Sequence, residues 1–187
     1  MLLSQRNNQL DTVMQMSYKY HMIVFDASTI ILLAKIDLLE MFVSDFNDRV
    51  LIPEKVREEI CREARKETPA LTKLIADKKL RVLKVKNDVL VKKLMEDFAI
   101  DAGEAEALAL ALQEKAAIIA TDDRNAIRAC KMLKIDFTTA IAVLLRAFKK
   151  NLIDADEARI KLQKLASVAR YKRVIVEDAK KQIEGGA

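Results

Sequence analysis

Two short apolar runs along the chain end in acid. Met22-Ile23-Val24-Phe25 stops at Asp26, and Ala117-Ile118-Ile119-Ala120 stops at Thr121-Asp122-Asp123. Continuous runs of this kind, rich in β-branched and aromatic types, read as strands buried on both faces. Val50-Leu51-Ile52 is a third. Pro53 is expected to open a helix to about Lys66, since proline is pre-organised for the first helical position. Val56 and Ile60, four apart, mark the buried face of that helix; Glu59 lies beside it and Glu58 points away. Leu80–Val85 alternates apolar and basic residues, as an edge strand does, and Ile135-Asp136-Phe137 makes a last short strand. Helical patterns cover 28–35 and 36–42, then, after a break at Thr68-Pro69, 71–79 and about 88–98. Further helical patterns cover 102–112, 124–133, 140–149 (capped by Thr138 or Thr139) and about 174–183. One more, capped by Asp154 or Asp156, carries Ile160, Leu162, Leu165 and Val168. Strands alternate with helices and no hairpin signal intervenes. The pattern predicts an α/β chain: three α/β/α layers around a central, mostly parallel sheet, with additional C-terminal helices.

Composition narrows this. With 187 residues, 51% of them hydrophobic and 33% charged, the chain suits one compact domain, and only 3 Gly and 2 Pro favour long helices. No apolar run approaches the roughly 18 residues that span a bilayer. Residues Ser4 to Asn8 are polar, so no signal-peptide core is expected, nor any membrane partner. Residues 1–21 show no clear period and read as an N-terminal extension, with Met22 an alternative initiator. Cys61 and Cys130 stand alone; they fit a reducing, cytoplasmic compartment and are expected to be buried packing residues. The single histidine, His21, is read as structural. It excludes most zinc sites, and no Gly-x-Ser-x-Gly elbow accompanies it. No Gly-rich phosphate loop suggests an NTPase. The net charge of +5 lies entirely from Arg146 onward, where 11 Lys/Arg face 6 Asp/Glu. A basic flank beside an acidic pocket suits a protein that holds a polyanion.

The acids carry the candidate chemistry. Asp26 before a helix can be an N-cap and nothing more, and Asp101 with Glu104 has the spacing of a capping box. If Asp26, Glu59, Asp101, Glu104 and Asp122 converge, each like-charged pair ~4 Å apart costs about 4 kcal/mol at an effective dielectric of ~20. Some must then protonate, or a cation must neutralise them. Oxygen donors without His or Cys select Mg²⁺ or Mn²⁺. Such an ion binds phosphate oxygens, lowers the pKa of an attacking water and stabilises the leaving oxygen, which fits phosphodiester hydrolysis. Ser28, Thr121 and Asn125 are candidates to orient the carboxylates or the water, and Arg124 or Arg128 to meet the substrate phosphate. A haloacid-dehalogenase-type phosphatase also uses a strand-end Asp, but it needs a second acid where this chain has Ser28.

Four segments in order, Val24-Phe25-Asp26-Ala27-Ser28, Ile52-Pro53-Glu54 through Ile60, Asp101-Ala102-Gly103-Glu104-Ala105-Glu106 and Ala120-Thr121-Asp122-Asp123-Arg124-Asn125, resemble PIN-domain proteins. The likeness is greatest to the branch related to the toxin nucleases of VapBC toxin–antitoxin pairs. It covers about 22–150 as a PIN-like nuclease domain, with 151–187 a basic helical extension packed on it. The resemblance implies a Mg²⁺- or Mn²⁺-dependent endoribonuclease acting on RNA, a homodimer, and an antitoxin partner if the chain is a toxin. It places the catalytic acids at Asp26, Glu59, Asp101 or Glu104, and Asp122, with Asp123 beside it a candidate metal ligand. The doubled acids Glu58/Glu59 and Asp122/Asp123 depart from the simplest pattern and leave the ligand at each pair open. The alternative from another class is a non-catalytic PIN-like domain that binds RNA or protein.

Overall fold

The computed structural model describes residues 22–45, 49–62, 66–116 and 118–185. The expectations for 1–21, including His21, and for the helix end at 63–65 lie outside these residues. Five strands form one sheet: β1 (Ile23–Phe25), β2 (Val50–Pro53), β3 (Leu80–Leu83), β4 (Ile118–Ala120) and β5 (Asp136–Thr138). Every pairing is parallel, in the order β3-β2-β1-β4-β5. The helices are α1 (Ala27–Lys35), α2 (Leu39–Asp45), α3 (Glu54–Arg62), α4 (Thr68–Ala76) and α5 (Asp88–Phe98), followed by α6 (Ala102–Gln113), α7 (Arg124–Leu133), α8 (Ala140–Lys149), α9 (Ala155–Val168) and α10 (Arg173–Glu184).

Alternation along the strands divides the interior into two cores. Ile23, Phe25, Ile52 and Ile118 pack with Ile30 of α1, Val56 of α3 and Leu144 of α8. Val24, Leu51 and Ile119 point the other way, to Leu94 of α5, Leu108 of α6 and Cys130 of α7. The chain steps from β1 to β3 with α1–α4 on the first face, then returns to the far side of β1 for β4. Right-handed crossovers in the reversed direction put α5–α7 on the second face. The reversal falls between β1 and β4, and such a switch point leaves a crevice beyond the carboxyl ends of the two strands. Phe25 pairs with Ala120, so the residues that follow, Asp26 and Thr121, lie side by side at the strand ends, where Asp26 lines that crevice.

Several local expectations change. Pro53 is the last residue of β2, paired with Leu83, and α3 starts at Glu54. Thr68-Pro69 opens α4 instead of only breaking the preceding helix, because a missing N–H costs nothing in a first turn. On α9 the buried stripe is Ala158, Leu162 and Leu165, while Ile160 is 65% exposed. Cys130 is buried, but Cys61 is exposed: it follows Ile60, the last residue of the buried stripe of α3, and is turned away from the core. The C-terminal helices dock beside α1, where Lys161 Nζ donates to the Ile36 carbonyl at 2.7 Å, and Leu162, Leu165 and Ile183 join the first core. Among the described residues no helix is long and apolar enough to cross a membrane.

Candidate active site

β1 passes into α1 through Asp26 alone. Its backbone is extended, and its carboxylate accepts the Thr29 N–H at 2.8 Å and the Ser28 hydroxyl at 3.1 Å on Oδ1. Oδ2 accepts the Thr121 hydroxyl from the end of β4. Asp26 is therefore an N-cap, and the capping bonds are what fix its carboxylate at the switch point. Only 2% of the residue is exposed. Burial pushes its pKa from 3.8 up to about 6; the Thr121 hydroxyl and Thr29 amide oppose the rise, and the charge of Asp122 adds to it.

Asp101 and Glu104 complete both halves of a capping box at the start of α6: the Glu104 N–H donates to Asp101 Oδ1 at 2.9 Å, and the Asp101 N–H to Glu104 Oε2 at 3.0 Å. Burial raises the Glu104 pKa to about 7, with the Asp101 amide pulling it down and the charges of Asp101, Asp123 and Asp26 pushing it up. Glu59 reaches the same place from α3. Its pKa is raised by burial first and by Asp101 second, against the nearby cations Lys55 and Arg62. Asp26, Ser28, Glu59, Arg62, Asp101 and Glu104 all line one cavity of about 330 Å³. Among the described residues, four acids from three separate elements share it with one cation, and Arg62 also pairs with Glu58 at 3.6 Å. Glu106 accepts the Lys55 N–H at 3.1 Å and ties α6 to the first turn of α3.

Asp122 occupies a different position. Its Oδ2 accepts the Thr29 hydroxyl at 2.8 Å and the Ala140 N–H at 2.9 Å, and its Oδ1 accepts the hydroxyl of Tyr171 from the linker between α9 and α10. Asp122 is joined to Asp26 through Thr29 but does not line the cavity. Its pKa is raised by burial, against the Tyr171, Ala140 and Thr29 donors. Asp123 caps α7, accepting the N–H groups of Asn125 and Ala126 at 2.7 and 2.8 Å. The Asp123 N–H donates to Thr121 Oγ1 at 3.2 Å, which steadies the hydroxyl that holds Asp26. The Asn125 side chain donates to the Ala99 carbonyl at 3.0 Å, and Arg124 and Arg128 are exposed on α7 outside the cavity. Sequence reasoning passed over Thr29, Arg62, Gly103 and Tyr171. Arg62 had a signal, lying one helical turn from Glu59; Tyr171 had none.

The fold and site together define an α/β protein with an acid-lined crevice at the switch point of a parallel sheet. The family model DUF3368, a PIN domain, matches residues 22–184, and the chain belongs to that family. No curated protein and no solved structure matches it. PIN domains are generally nucleases and typically use divalent metals.

The donor chemistry fits such an ion, since among the described residues the cavity is lined by carboxylate and hydroxyl oxygens and by no sulfur or imidazole. Among the described residues, however, no three acid, His or Cys side chains close into a ready-made cage. An open set of this kind suits Mg²⁺ or Mn²⁺, which keep several waters and use one or two carboxylates together with substrate phosphates.

Proposed function

We propose that this chain is a Mg²⁺- or Mn²⁺-dependent ribonuclease that hydrolyses RNA phosphodiester bonds in the cavity between α1, α3 and α6. The observation that carries the reading is the gathering of Asp26, Glu59, Asp101 and Glu104 around one space beside Arg62. When bound, the ion would supply positive charge to the phosphate, a more acidic water and a stabilised leaving oxygen. Asp26, Glu59, Asp101 and Glu104 would hold it, directly or through its waters. Ser28, Thr121 and Thr29 keep the Asp26 carboxylate in one orientation, and Asp122 and Asp123 buttress it from behind through Thr29 and Thr121. The Arg62 guanidinium meets the scissile phosphate. Arg170, Lys172 and Arg173 flank Tyr171 and are exposed; with Tyr171 bonded to Asp122, they lie along the approach to the sheet edge and draw in the RNA backbone.

Calorimetric titration with Mn²⁺ and cleavage of a fluorogenic single-stranded RNA separate this reading from a non-catalytic binding domain. Wild type should bind Mn²⁺ and cut in its presence, and Asp26→Asn should do neither. Cleavage by Asp26→Asn at the wild-type rate would overturn the proposal, as would a wild-type chain that takes up no Mn²⁺.

A further inference from the structure

Gly103 lies in the first turn of α6, and its φ is not positive, so the backbone there does not require glycine. Helices disfavour glycine relative to alanine, and alanines fill positions 102, 105 and 107 around it. The reason for a bare Cα comes from across the interface with α3. A Cβ at position 103 would stand 2.6 Å from Glu59 Oε1, 3.0 Å from Oε2 and 3.1 Å from Cδ. All three are well inside the separation of about 3.5 Å at which such atoms rest. The carboxylate of Glu59 is laid flat on the space where a side chain would be.

We propose that Gly103 is a positioning residue: its missing side chain forms the notch that seats the Glu59 carboxylate in the cavity beside Asp26, Asp101 and Glu104. This rests on the metal-dependent nuclease reading of the site. A methyl group at 103 pushes the end of a flexible side chain, not backbone, so Glu59 rotates away by about 1 Å and the fold is kept. Misplacement of a functional group by that amount costs about 10- to 100-fold in metal affinity or rate.

The test uses the full chain as wild type, Gly103→Ala, Glu59→Asp and the double variant, measuring Mn²⁺ affinity by calorimetry without RNA, RNA cleavage and thermal melting in EDTA. Gly103→Ala should melt no lower than wild type yet bind Mn²⁺ and cleave about 10- to 100-fold less well. Glu59→Asp alone should also lose affinity, because its shorter side chain falls short of the notch. In the double variant the shorter side chain makes room for the methyl, so the two losses should not multiply and part of the Gly103→Ala loss should return. A purely structural glycine has no such rescue. Gly103→Ala behaving as wild type, losses that simply multiply, or a melting point below wild type would each overturn the role of Gly103. If Glu59→Asp is impaired while Gly103→Ala is not, the nuclease reading stands and the notch alone falls. If wild type binds no Mn²⁺, both fall.

Discussion

Replacing Asp26 by Asn should remove activity and, without metal, make the protein more stable. The wild-type carboxylate is buried, and its pKa is held at about 6 instead of 3.8. A rise of this size corresponds to about 3 kcal/mol of preference for the neutral form. Asp26 with a raised folded pKa contributes its full stability below the unfolded value, and loses it as pH climbs through the folded one. The metal-free wild type should thus lose up to about 3 kcal/mol from this group between pH 4 and pH 7, and the Asn variant should not. The amide keeps an oxygen for the Thr29 N–H but turns an NH₂ toward Thr121, whose hydroxyl then loses its acceptor, at about 1 kcal/mol. The net gain above pH 7 is about 2 kcal/mol, or about 4–8 °C in melting temperature for a chain of this size. Saturating Mn²⁺ should reverse the order, since a ligand at 100 times its Kd adds about 2.7 kcal/mol to wild type. Urea or thermal melts across pH 4–8, with EDTA and with Mn²⁺, measure this directly. A variant less stable than wild type in EDTA at pH 7.5, or a gap that does not widen with pH, would refute the reasoning.

Three more outcomes are expected. Tyr171→Phe leaves Asp122 one donor short in a half-buried setting and should cost about 1 kcal/mol in urea unfolding at pH 7.5; an unchanged midpoint would contradict the tether. Arg170→Ala/Lys172→Ala/Arg173→Ala should bind a labelled single-stranded RNA in EDTA with a log K versus log salt slope shallower by about 2, at about 0.7 per phosphate contact. An equally charged Lys92→Ala/Lys93→Ala/Lys86→Ala control, on β3–α5 residues away from the C-terminal helices, should keep the wild-type slope. Cys61 should react with a thiol reagent in the native state while Cys130 reacts only on unfolding, because Cys130 is buried and its pKa is pushed to about 12 by burial and by the charge of Asp26. Equal labelling of both would contradict the packing of α7.

The strands and most helices were legible because their signals are local. Val24 and Ile119 sit inside unbroken apolar runs, and caps such as Asn87, Thr139 and Asp154 lie beside the turns they close. Asp26, Asp101 and Glu104 were readable as site candidates because strand ends and helix starts of a parallel sheet collect on one edge, and Glu59 because it lies beside the buried face of α3. What stayed hidden was relational. Asp122 has a strand-end position like that of Asp26, but Thr29, Ala140 and Tyr171 surround its oxygens, and no spacing along the chain foretells a bond to the α9–α10 linker. Cap and site also looked like rival readings of Asp26 and Asp101, yet the same two residues accept the capping amides and line the cavity. Gly103 was visible only as part of a motif; its meaning depends on where the end of Glu59 lies.

The most direct measurement is anomalous diffraction from crystals of the protein soaked in Mn²⁺. A peak is expected inside the cavity lined by Asp26, Glu59, Asp101 and Glu104, and none when Asp26→Asn crystals are treated in the same way. A peak elsewhere with none in this cavity, or an unchanged peak in the variant, would contradict the proposed site.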